Sequence, residues 1–403
     1  MNELVSLAAL LISFSVIIVL VANKKNFGVA MVLGALLLGL LARPERIPNI
    51  VYETATDWQV ITLVAIVICI KLFATVLQDT GQIPLVIDHL KRVIPQRGML
   101  AIIPFIFGLL PIPGGALLSA PMVDEQGKKL NVDREGRTFL NLWFRHIGFL
   151  VFPLSTALVV MSQVSEVSIN RLIVVQAPIF LIAVAVGSLY ILRLSQKKAA
   201  EPAEDRHAAG IIMETAVNIL PLIVTIIMAF TLAETVHLNI ALLVALPTGI
   251  LLSLLLYTGD GRPAMLKKGF SPLLGLAIFG IMLYRDMAFA SGVTDVVAGY
   301  LQGSAASPLL IIPVLSFAIG FLTAHNMAAI PLVYSMVASM IGGDIGLVSL
   351  LYVSSFMGYL VSPLHLCVVV SYEYFKPRFV KLYRLMLPPA VLVTAIAVIW
   401  LSL

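Results

Sequence analysis

Two short stretches of this sequence decide its fold: Gly148–Leu154 reads GFLVFPL, and Gly358–Leu364 reads GYLVSPL. They belong to opposite halves of the chain, and each places a proline at the same point of an apolar run. Proline cannot donate a backbone hydrogen bond and clashes with the preceding helical turn, so it breaks or kinks a helix. The pair therefore predicts two interrupted helices that serve one purpose in two halves of the chain.

The composition indicates that lipid is the solvent for most of the chain. Of its 403 residues 60% are hydrophobic and only 12% are charged, which excludes an ordinary soluble domain. The net charge of +5 comes from Lys and Arg in loops, so we interpret it as a topology signal and predict no nucleic-acid partner. Cys69 and Cys367 lie in apolar runs, where we expect packing and neither a disulfide nor a metal site. We predict an all-α polytopic membrane protein.

Apolar runs of spanning length predict about ten transmembrane helices. Two other apolar stretches, 98–123 and 307–340, are interrupted by Pro, Gly, His and Asn, and we predict that each is a re-entrant hairpin. The ten predicted spans are 4–22, 27–42, 59–79, 138–163, 171–192, 211–233, 238–257, 270–290, 346–371 and 384–402.

The loop charges predict the orientation in the membrane. The start of the chain carries no basic leader before its first apolar run, so we expect a retained span with an external N-terminus. The C-terminus then also lies outside the cell, in the periplasm or extracellular space, and the protein is a multi-pass protein of the inner (plasma) membrane. With this orientation most Lys and Arg fall in cytoplasmic loops, at 23–25, 79–97, 124–137, 193–210, 259–268 and 372–384.

The two halves of the sequence align when the repeated phrases are placed in register. The spacing from Pro121 to Pro153 then equals the spacing from Pro331 to Pro363. The predicted units are residues 1–195, a cytoplasmic linker at 196–210, and residues 211–403. Each unit holds five spans and one hairpin, and an odd number of spans inserts the second unit upside down. Such an inverted repeat is the architecture of secondary transporters, whose broken helices aim backbone dipoles at a central site.

Two motifs resemble known transporter families. GLLPIPGGALLSAP (108–121) resembles the hairpin signature of gluconate-permease-like proteins, and GYLVSPLHLCVVVS (358–371) resembles the broken-helix phrase of the large membrane subunit of tripartite dicarboxylate transporters. The chain is thereby similar to the ion transporter superfamily, most closely to an uncharacterised family of prokaryotic integral membrane proteins. The resemblance implies a homodimer and an elevator mechanism for a small organic anion, coupled to Na⁺ or H⁺. The hairpin tips at 111–119 and 323–329 lack the Ser-Asn-Thr signature of the Na⁺/dicarboxylate branch.

The candidate substrate-binding residues lie at the hairpin tips and the breaks. The first tip exposes backbone at Pro111, Pro113, Gly114 and Gly115, which suits close approach of an anion to N–H groups. The polar side chains that we expect around a pocket between the two tips are Ser119, Ser155, Thr156, Thr323, His325, Asn326, Ser362 and His365.

Charged residues inside spans are costly, so they normally face a partner or a wet cavity. Arg285 is a candidate for the substrate carboxylate, and Asp286, His365 and Asn326 are candidates for ion coupling. Because adjacent helical residues point about 100° apart, we expect no direct pair between Arg285 and Asp286. A structural pair of Asp286 with Arg285 or Lys71 is the alternative, and His146 is expected near the cytoplasmic face.

Three functions follow from these patterns. The first is a secondary carrier for a small organic anion, either a carboxylate or an amino-acid-like molecule, driven by H⁺ or Na⁺. The second is a cation/proton antiporter that uses Asp286 as its ion carrier. The third is a channel or an intramembrane enzyme, but the sequence has no zinc-ligand pair, nucleophile elbow or phosphate loop. We predict no enzymatic activity, no cofactor other than a coupling ion, and no metal other than Na⁺ at the tips and breaks.

Overall fold

The computed structural model describes residues 3–23, 25–109, 116–194, 208–292, 296, 299 and 307–402. These residues form α-helices, short 3₁₀ turns and connecting loops. Within these described ranges, seven helical segments are long and apolar enough to cross a membrane by length and composition. The fold is therefore that of an all-α, multi-pass membrane protein.

The helices of the first half are α1 Glu3–Ala22, α2 Phe27–Ala42, α3 Ile47–Thr56, α4 Trp58–Asp79, α5 Gln82–Val93, α6 Gln96–Gly108, α7 Ala116–Lys129, α8 Arg134–Ile147, α9 Thr156–Ser165 and α10 Ile169–Leu192. The helices of the second half are α11 Ala208–Ala233, α12 Leu238–Leu256, α13 Arg262–Gly269, α14 Pro272–Ser291, α15 Pro308–Thr323, α16 Asn326–Ile341, α17 Ile345–Val361, α18 Leu366–Phe375 and α19 Phe379–Leu401.

Two predicted spans are interrupted helices. The run 138–163 is divided between α8 and α9 by the non-α-helical segment 148–155, which we call the first break. The run 346–371 is divided between α17 and α18 by 362–365, which we call the second break. Both breaks contain the prolines of the repeated phrase, so the predicted interruptions are confirmed.

Both predicted hairpins consist of two short helices. In the second, α15 ends at Thr323 and α16 begins at Asn326, with Ala324 in the left-handed region at φ 52°. In the first, α6 and α7 pack against each other. The tip between them, 110–115, lies outside the described residues, as does the part of the predicted linker at 196–207.

Polar contacts between helix ends define one end of the molecule. Lys268 pairs with Asp79, and Arg378 pairs with Glu135. Further contacts on this side join Arg97 to the carbonyl of Leu194, Tyr190 to Asp133, and Gln82 to Ser253. Because the Lys- and Arg-rich loops of the sequence join here, we call this side the basic end.

The opposite end, which we call the far end, is held by its own contacts. Asn170 donates to Glu234, and Thr54 donates to Asp286. A buried chain of amides lies just inside it: Gln163 donates to Asn239 at 2.7 Å, and Asn239 donates to Thr62 at 2.6 Å. This chain joins α9 to α12 and α4.

The helices pack into two groups. In the first, which we call the α2–α14 group, α2 runs along α14, α4 runs along α12, and α1 and α11 pack outside them. In the second, which we call the broken-helix group, α6 packs on α8, α15 packs on α17, and α10 and α19 complete the bundle. Between the groups, α16 meets α14 and α9 meets α4.

Within the broken-helix group the hairpins pack crosswise. Helix α7, the second arm of the first hairpin, packs on α18, which follows the second break. Helix α16, the second arm of the second hairpin, packs on α9, which follows the first break. Each hairpin thus contacts the half-helix of the opposite half of the chain.

Several backbone features of the first half recur at the matching positions of the second half. Helices α9 and α18 each have ten residues, and they begin at Thr156 and Leu366. Each is followed by a non-glycine residue in the left-handed region, Glu166 at φ 59° and Lys376 at φ 49°. These two half-helices therefore have similar backbones even though their side chains differ.

Candidate functional site

A cavity of about 250 Å³ lies between the two helix groups. The α2–α14 group supplies the first residues of α2 and α14, at the basic end, and Lys71 from α4. The broken-helix group supplies Thr156 of α9 together with His325 and Met327 of the second hairpin. The cavity therefore connects the basic end with the first break and the second hairpin tip.

The N-terminus of α9 faces this cavity. Its N-cap, Ser155, forms no side-chain capping bond, and Thr156 is the first helical residue. The first backbone N–H groups of a helix have no partner within the helix and carry the positive end of its dipole. A helix that starts in the middle of a membrane protein presents these donors to whatever occupies the adjacent space.

The N-terminus of α16 meets the same cavity. His325 is its N-cap, again without a side-chain capping bond, and its ring stacks on Phe27 with centroids 4.1 Å apart. Asn326 accepts a hydrogen bond from Ser355 at 3.2 Å, whereas its Nδ2 has no partner among the described residues. Two half-helices from opposite halves of the chain thus begin beside one pocket.

Lys71 is the only cation that lines the cavity among the described residues. It lies eight residues before the end of α4, about 12 Å from the basic end at 1.5 Å per residue. It has no ion-pair partner in the described parts of the chain, so its charge is available to a ligand. Lys71 is half-buried, and an ammonium group inside a membrane protein is expensive unless it meets an anion or water.

The remaining lining of the cavity is largely apolar. Phe27, Leu273, Leu274, Ala277 and Met327 contribute carbon surface, and Asn26 and Ser271 add polar groups at the basic end. Apolar walls with a few convergent polar groups are typical of small-molecule sites. The arrangement suits an anion with a short hydrocarbon body, held at its charged end by Lys71 and the two helix N-termini.

The second break has different surroundings. His365 lies with its ring 4.0 Å from that of Tyr359 and 4.8 Å from that of His146, measured between centroids. His146 and His365 are buried and Tyr359 is half-buried, and Arg145 lies against Tyr359 and Cys367. The expectation that His146 lies near the cytoplasmic face was wrong: the end of α8 carries its ring into the core, beside the second break.

Ser119 belongs to a buried polar network rather than to the cavity. It donates to Oδ1 of Asn141 at 2.6 Å, and Nδ2 of Asn141 donates to the carbonyl of Ala116 and to Ser371. This network ties the first hairpin to α8 and α18. The other candidates at that tip, Pro111, Pro113, Gly114 and Gly115, lie outside the described residues.

Thr323 and Ser362 are engaged by the local backbone. The hydroxyl of Thr323 donates to the carbonyl of Ile319 at 2.8 Å, one turn earlier in α15. Ser362, at the end of α17, accepts a hydrogen bond from the N–H of Leu364 at 3.3 Å. Neither of them lines the cavity, so the predicted pocket is smaller and less symmetrical than the sequence indicated.

The expectation that Arg285 and Asp286 do not pair was wrong. Nε and Nη2 of Arg285 lie 2.9 and 2.8 Å from Oδ1 of Asp286, and Thr54 donates to Oδ2 at 2.7 Å. The Cα–Cβ bonds of adjacent residues diverge, but the long arginine side chain folds back to its neighbour. Neither residue lines the cavity, and Lys71, the other partner considered for Asp286, lies there instead.

Sequence reasoning missed several contributors to these sites, among them Lys71, which was considered only as a partner for Asp286. Asn26 lies just before an ordinary apolar span and Phe27 begins it, so nothing in the sequence distinguished them. Asn141 was detectable, because it is an amide in the middle of a predicted span, but it was not recognised.

The comparisons with known proteins identify a family. The chain belongs to the family described as "Protein of unknown function (DUF401)", whose model matches residues 6–403. No curated protein matches the chain. The match covers almost the whole sequence, so the helices described above make up a single family unit.

Proposed function

We propose that this protein is a secondary transporter for a small organic anion and that the 250 Å³ cavity is its substrate site. The observation that carries the proposal is the convergence of three positive features, the N-termini of α9 and α16 and the ammonium group of Lys71. Helix N-termini bind anions through free N–H groups and the dipole. In secondary transporters, discontinuous helices present such N-termini to anionic substrate groups.

An inverted repeat is the second part of the proposal. Two observations support two copies of one module. The hairpins pack crosswise on the half-helices, and matching positions of the two halves share backbone features. The direction of the half-helices supports inversion. Helix α9 runs from its break toward the far end, where Gln163 bonds Asn239, whereas α18 runs toward the basic end, where Arg378 bonds Glu135.

The substrate class follows from the charge and the lining of the site. One lysine suits one carboxylate, and no second cation lines the described part of the cavity. The wall of Phe27, Leu273, Leu274 and Met327 suits a short apolar body. The cavity volume of about 250 Å³ is smaller than that of pockets that hold drug-sized ligands, which is about 300–1,000 Å³. We therefore propose a monocarboxylate of metabolite size, such as a 2-oxo acid.

Alternating access follows from the position of the site between two helix groups. The cavity reaches the basic end. Hydrogen bonds from Gln163 to Asn239 and from Asn239 to Thr62 join the two helix groups on the other side of α9. Movement of the broken-helix group must break these bonds before the site can open to the far end. The elevator motion, the homodimer and the H⁺ or Na⁺ coupling stay predictions that rest on the family resemblance.

The cation/proton antiporter is the weaker alternative. Its proposed carrier, Asp286, already accepts hydrogen bonds from Arg285 and Thr54. A carboxylate paired in this way is not free to exchange protons and cations without first losing both partners. The cavity, by contrast, contains no carboxylate among its described lining residues.

The test is uptake into proteoliposomes. Purified protein is reconstituted and supplied with radiolabelled monocarboxylates, dicarboxylates and hydrophobic amino acids, with an imposed proton or sodium gradient and without one. We expect saturable uptake of a monocarboxylate that one gradient accelerates. Uptake that no gradient changes would contradict secondary transport, and a preference for dicarboxylates would contradict the proposed site.

A further inference from the structure

A separate cluster of metal-ligand side chains lies at the second break. His146, His365 and Cys367 each offer one ligand atom, and these three atoms lie within 4.8 Å of one another. His146 comes from α8, His365 ends the second break, and Cys367 lies in the first turn of α18. All three are buried, with exposed fractions of 1%, 2% and 7%. The cavity described above includes none of them.

The hydrogen bonds of the two histidines leave nitrogen atoms for a ligand. Nδ1 of His146 lies 2.7 Å from the carbonyl of Leu142, and a carbonyl can only accept, so this nitrogen carries the proton. Nε2 of the neutral ring then has a free lone pair, which is the usual arrangement of a metal-binding histidine. Nδ1 of His365 is buried and has no hydrogen-bond partner among the described residues.

From these observations we infer that His146, His365 and Cys367 form a three-coordinate site for a monovalent soft metal ion, Cu⁺. Imidazole and thiolate are both ligands for copper, and thiolate favours its monovalent state. With metal–ligand distances of about 2.0–2.3 Å, three ligand atoms in a trigonal arrangement lie about 3.7 Å from one another. The ligand atoms here lie within 4.8 Å of one another, so they must move together by about 1 Å when the ion binds. His365 lies in the non-helical break, where such a movement is least restricted by the helix.

The charge around the cluster selects Cu⁺ over Zn²⁺. Binding releases the Cys367 thiol proton to solvent, so Cu⁺ and the thiolate together are neutral. Zn²⁺ would leave a net positive charge beside the Arg145 guanidinium, which lies against Cys367. No fourth His, Cys, Asp or Glu joins the group among the described residues, whereas structural zinc sites are almost always four-coordinate. An occupied site would tie the second break to α8.

The test is competition for Cu⁺ under anaerobic conditions. Full-length protein in detergent, with any polyhistidine tag removed, is titrated into a Cu⁺ complex of the coloured chelator bathocuproine disulfonate. We expect the wild type to withdraw one Cu⁺ per chain. Cys367→Ser should bind at least 100-fold more weakly, whereas Cys69→Ser, which removes the other cysteine, should bind as the wild type does.

A second variant and a spectroscopic readout guard against misfolding. His146→Phe should also lose Cu⁺ while eluting as the wild type does in size-exclusion chromatography. X-ray absorption of the loaded protein should show two nitrogen neighbours and one sulfur neighbour at the distances above. Failure of the wild type to compete, equal binding by Cys367→Ser, or tighter binding of Zn²⁺ than of Cu⁺ would overturn the assignment. Because no transported anion is present, the outcome is independent of the proposed transport function.

Discussion

The two breaks end in the same way, but their surroundings differ. Each is followed by a ten-residue half-helix that starts without a side-chain cap. At the first break, the start of the half-helix faces the cavity that Lys71 lines. At the second break, His365 is enclosed by Tyr359 and His146. The two half-helices therefore start alike, and the side chains from neighbouring helices give the first start a cavity and the second an enclosed setting of aromatic and imidazole rings.

The two hairpins differ in a related way. Asn141 ties the first hairpin to α8 and α18 through three hydrogen bonds, while Asn326 ties the second to α17 through one bond of 3.2 Å. The second hairpin therefore has fewer of these side-chain hydrogen bonds to the helices around it, and its tip borders the cavity.

The largest expected effect concerns the glycines that open the repeated phrase. A Cβ at Gly358 would lie 2.0 Å from the backbone oxygen of Phe317, whereas one at Gly148 would lie 3.0 Å from the side chain of Phe105. The phenyl ring can shift and the backbone cannot. We expect Gly358→Ala to lower the free energy of unfolding by about 3 kcal/mol and Gly148→Ala by less than about 1 kcal/mol. Unfolding by SDS titration measures both, and equal losses would contradict the difference in packing.

The next effect compares the two hairpin anchors. Asn141→Ala removes three hydrogen bonds and leaves Ser119 and Ser371 buried, so we expect a loss of about 2–3 kcal/mol in the free energy of unfolding. Asn326→Ala removes a single bond and should cost about 1 kcal/mol. The same SDS titration applies, and a larger loss for Asn326→Ala would show that the second hairpin is the better anchored one.

A smaller effect separates the cavity from its surroundings. Thr156→Val removes the hydroxyl of a residue that lines the cavity, so we expect the KM for anion uptake to rise about 3–10-fold. Thr323→Val is the control, because that hydroxyl bonds its own helix and does not line the cavity. Uptake kinetics in proteoliposomes should leave the KM of the control within about twofold of the wild type. An equal rise in both variants would place the substrate elsewhere.

The smallest expected effect concerns Asp286. Its carboxylate is engaged by Arg285 and Thr54, so Asp286→Asn should leave gradient-driven anion uptake within about twofold of the wild type. A pH-sensitive dye inside the same vesicles reports any proton flux on addition of NaCl. A sodium-dependent proton flux that Asp286→Asn abolishes would support the antiporter instead.

The sequence predicted the interruptions at Pro153 and Pro363, but proline alone does not explain them. Pro178, Pro221 and Pro247 also fall in apolar runs and lie inside continuous helices, so it was the repeat of the whole phrase in both halves that distinguished the two breaks. The interrupted stretches at 98–123 and 307–340 likewise became pairs of short helices.

Contacts between helices could not be predicted, since they depend on helix rotation and crossing. Lys71 was considered as a partner for Asp286, but the face of α4 that carries it points to the cavity. His146 and His365 lie in opposite halves of the chain, and no local pattern indicates that α8 ends beside the second break. The pair Arg285–Asp286 was missed because the directions of the Cα–Cβ bonds do not include the reach of a long arginine side chain.

Anion binding at the proposed site requires the charge of Lys71. The test is the KM for uptake of the transported anion in proteoliposomes containing wild type, Lys71→Met or Lys71→Arg protein. We expect the KM of Lys71→Met to rise about 10–100-fold, since charge-assisted bonds contribute about 1.5–3 kcal/mol, and that of Lys71→Arg to stay within about tenfold. A Lys71→Met protein that folds and takes up the anion with the KM of the wild type would contradict the claim that this cavity is the anion site.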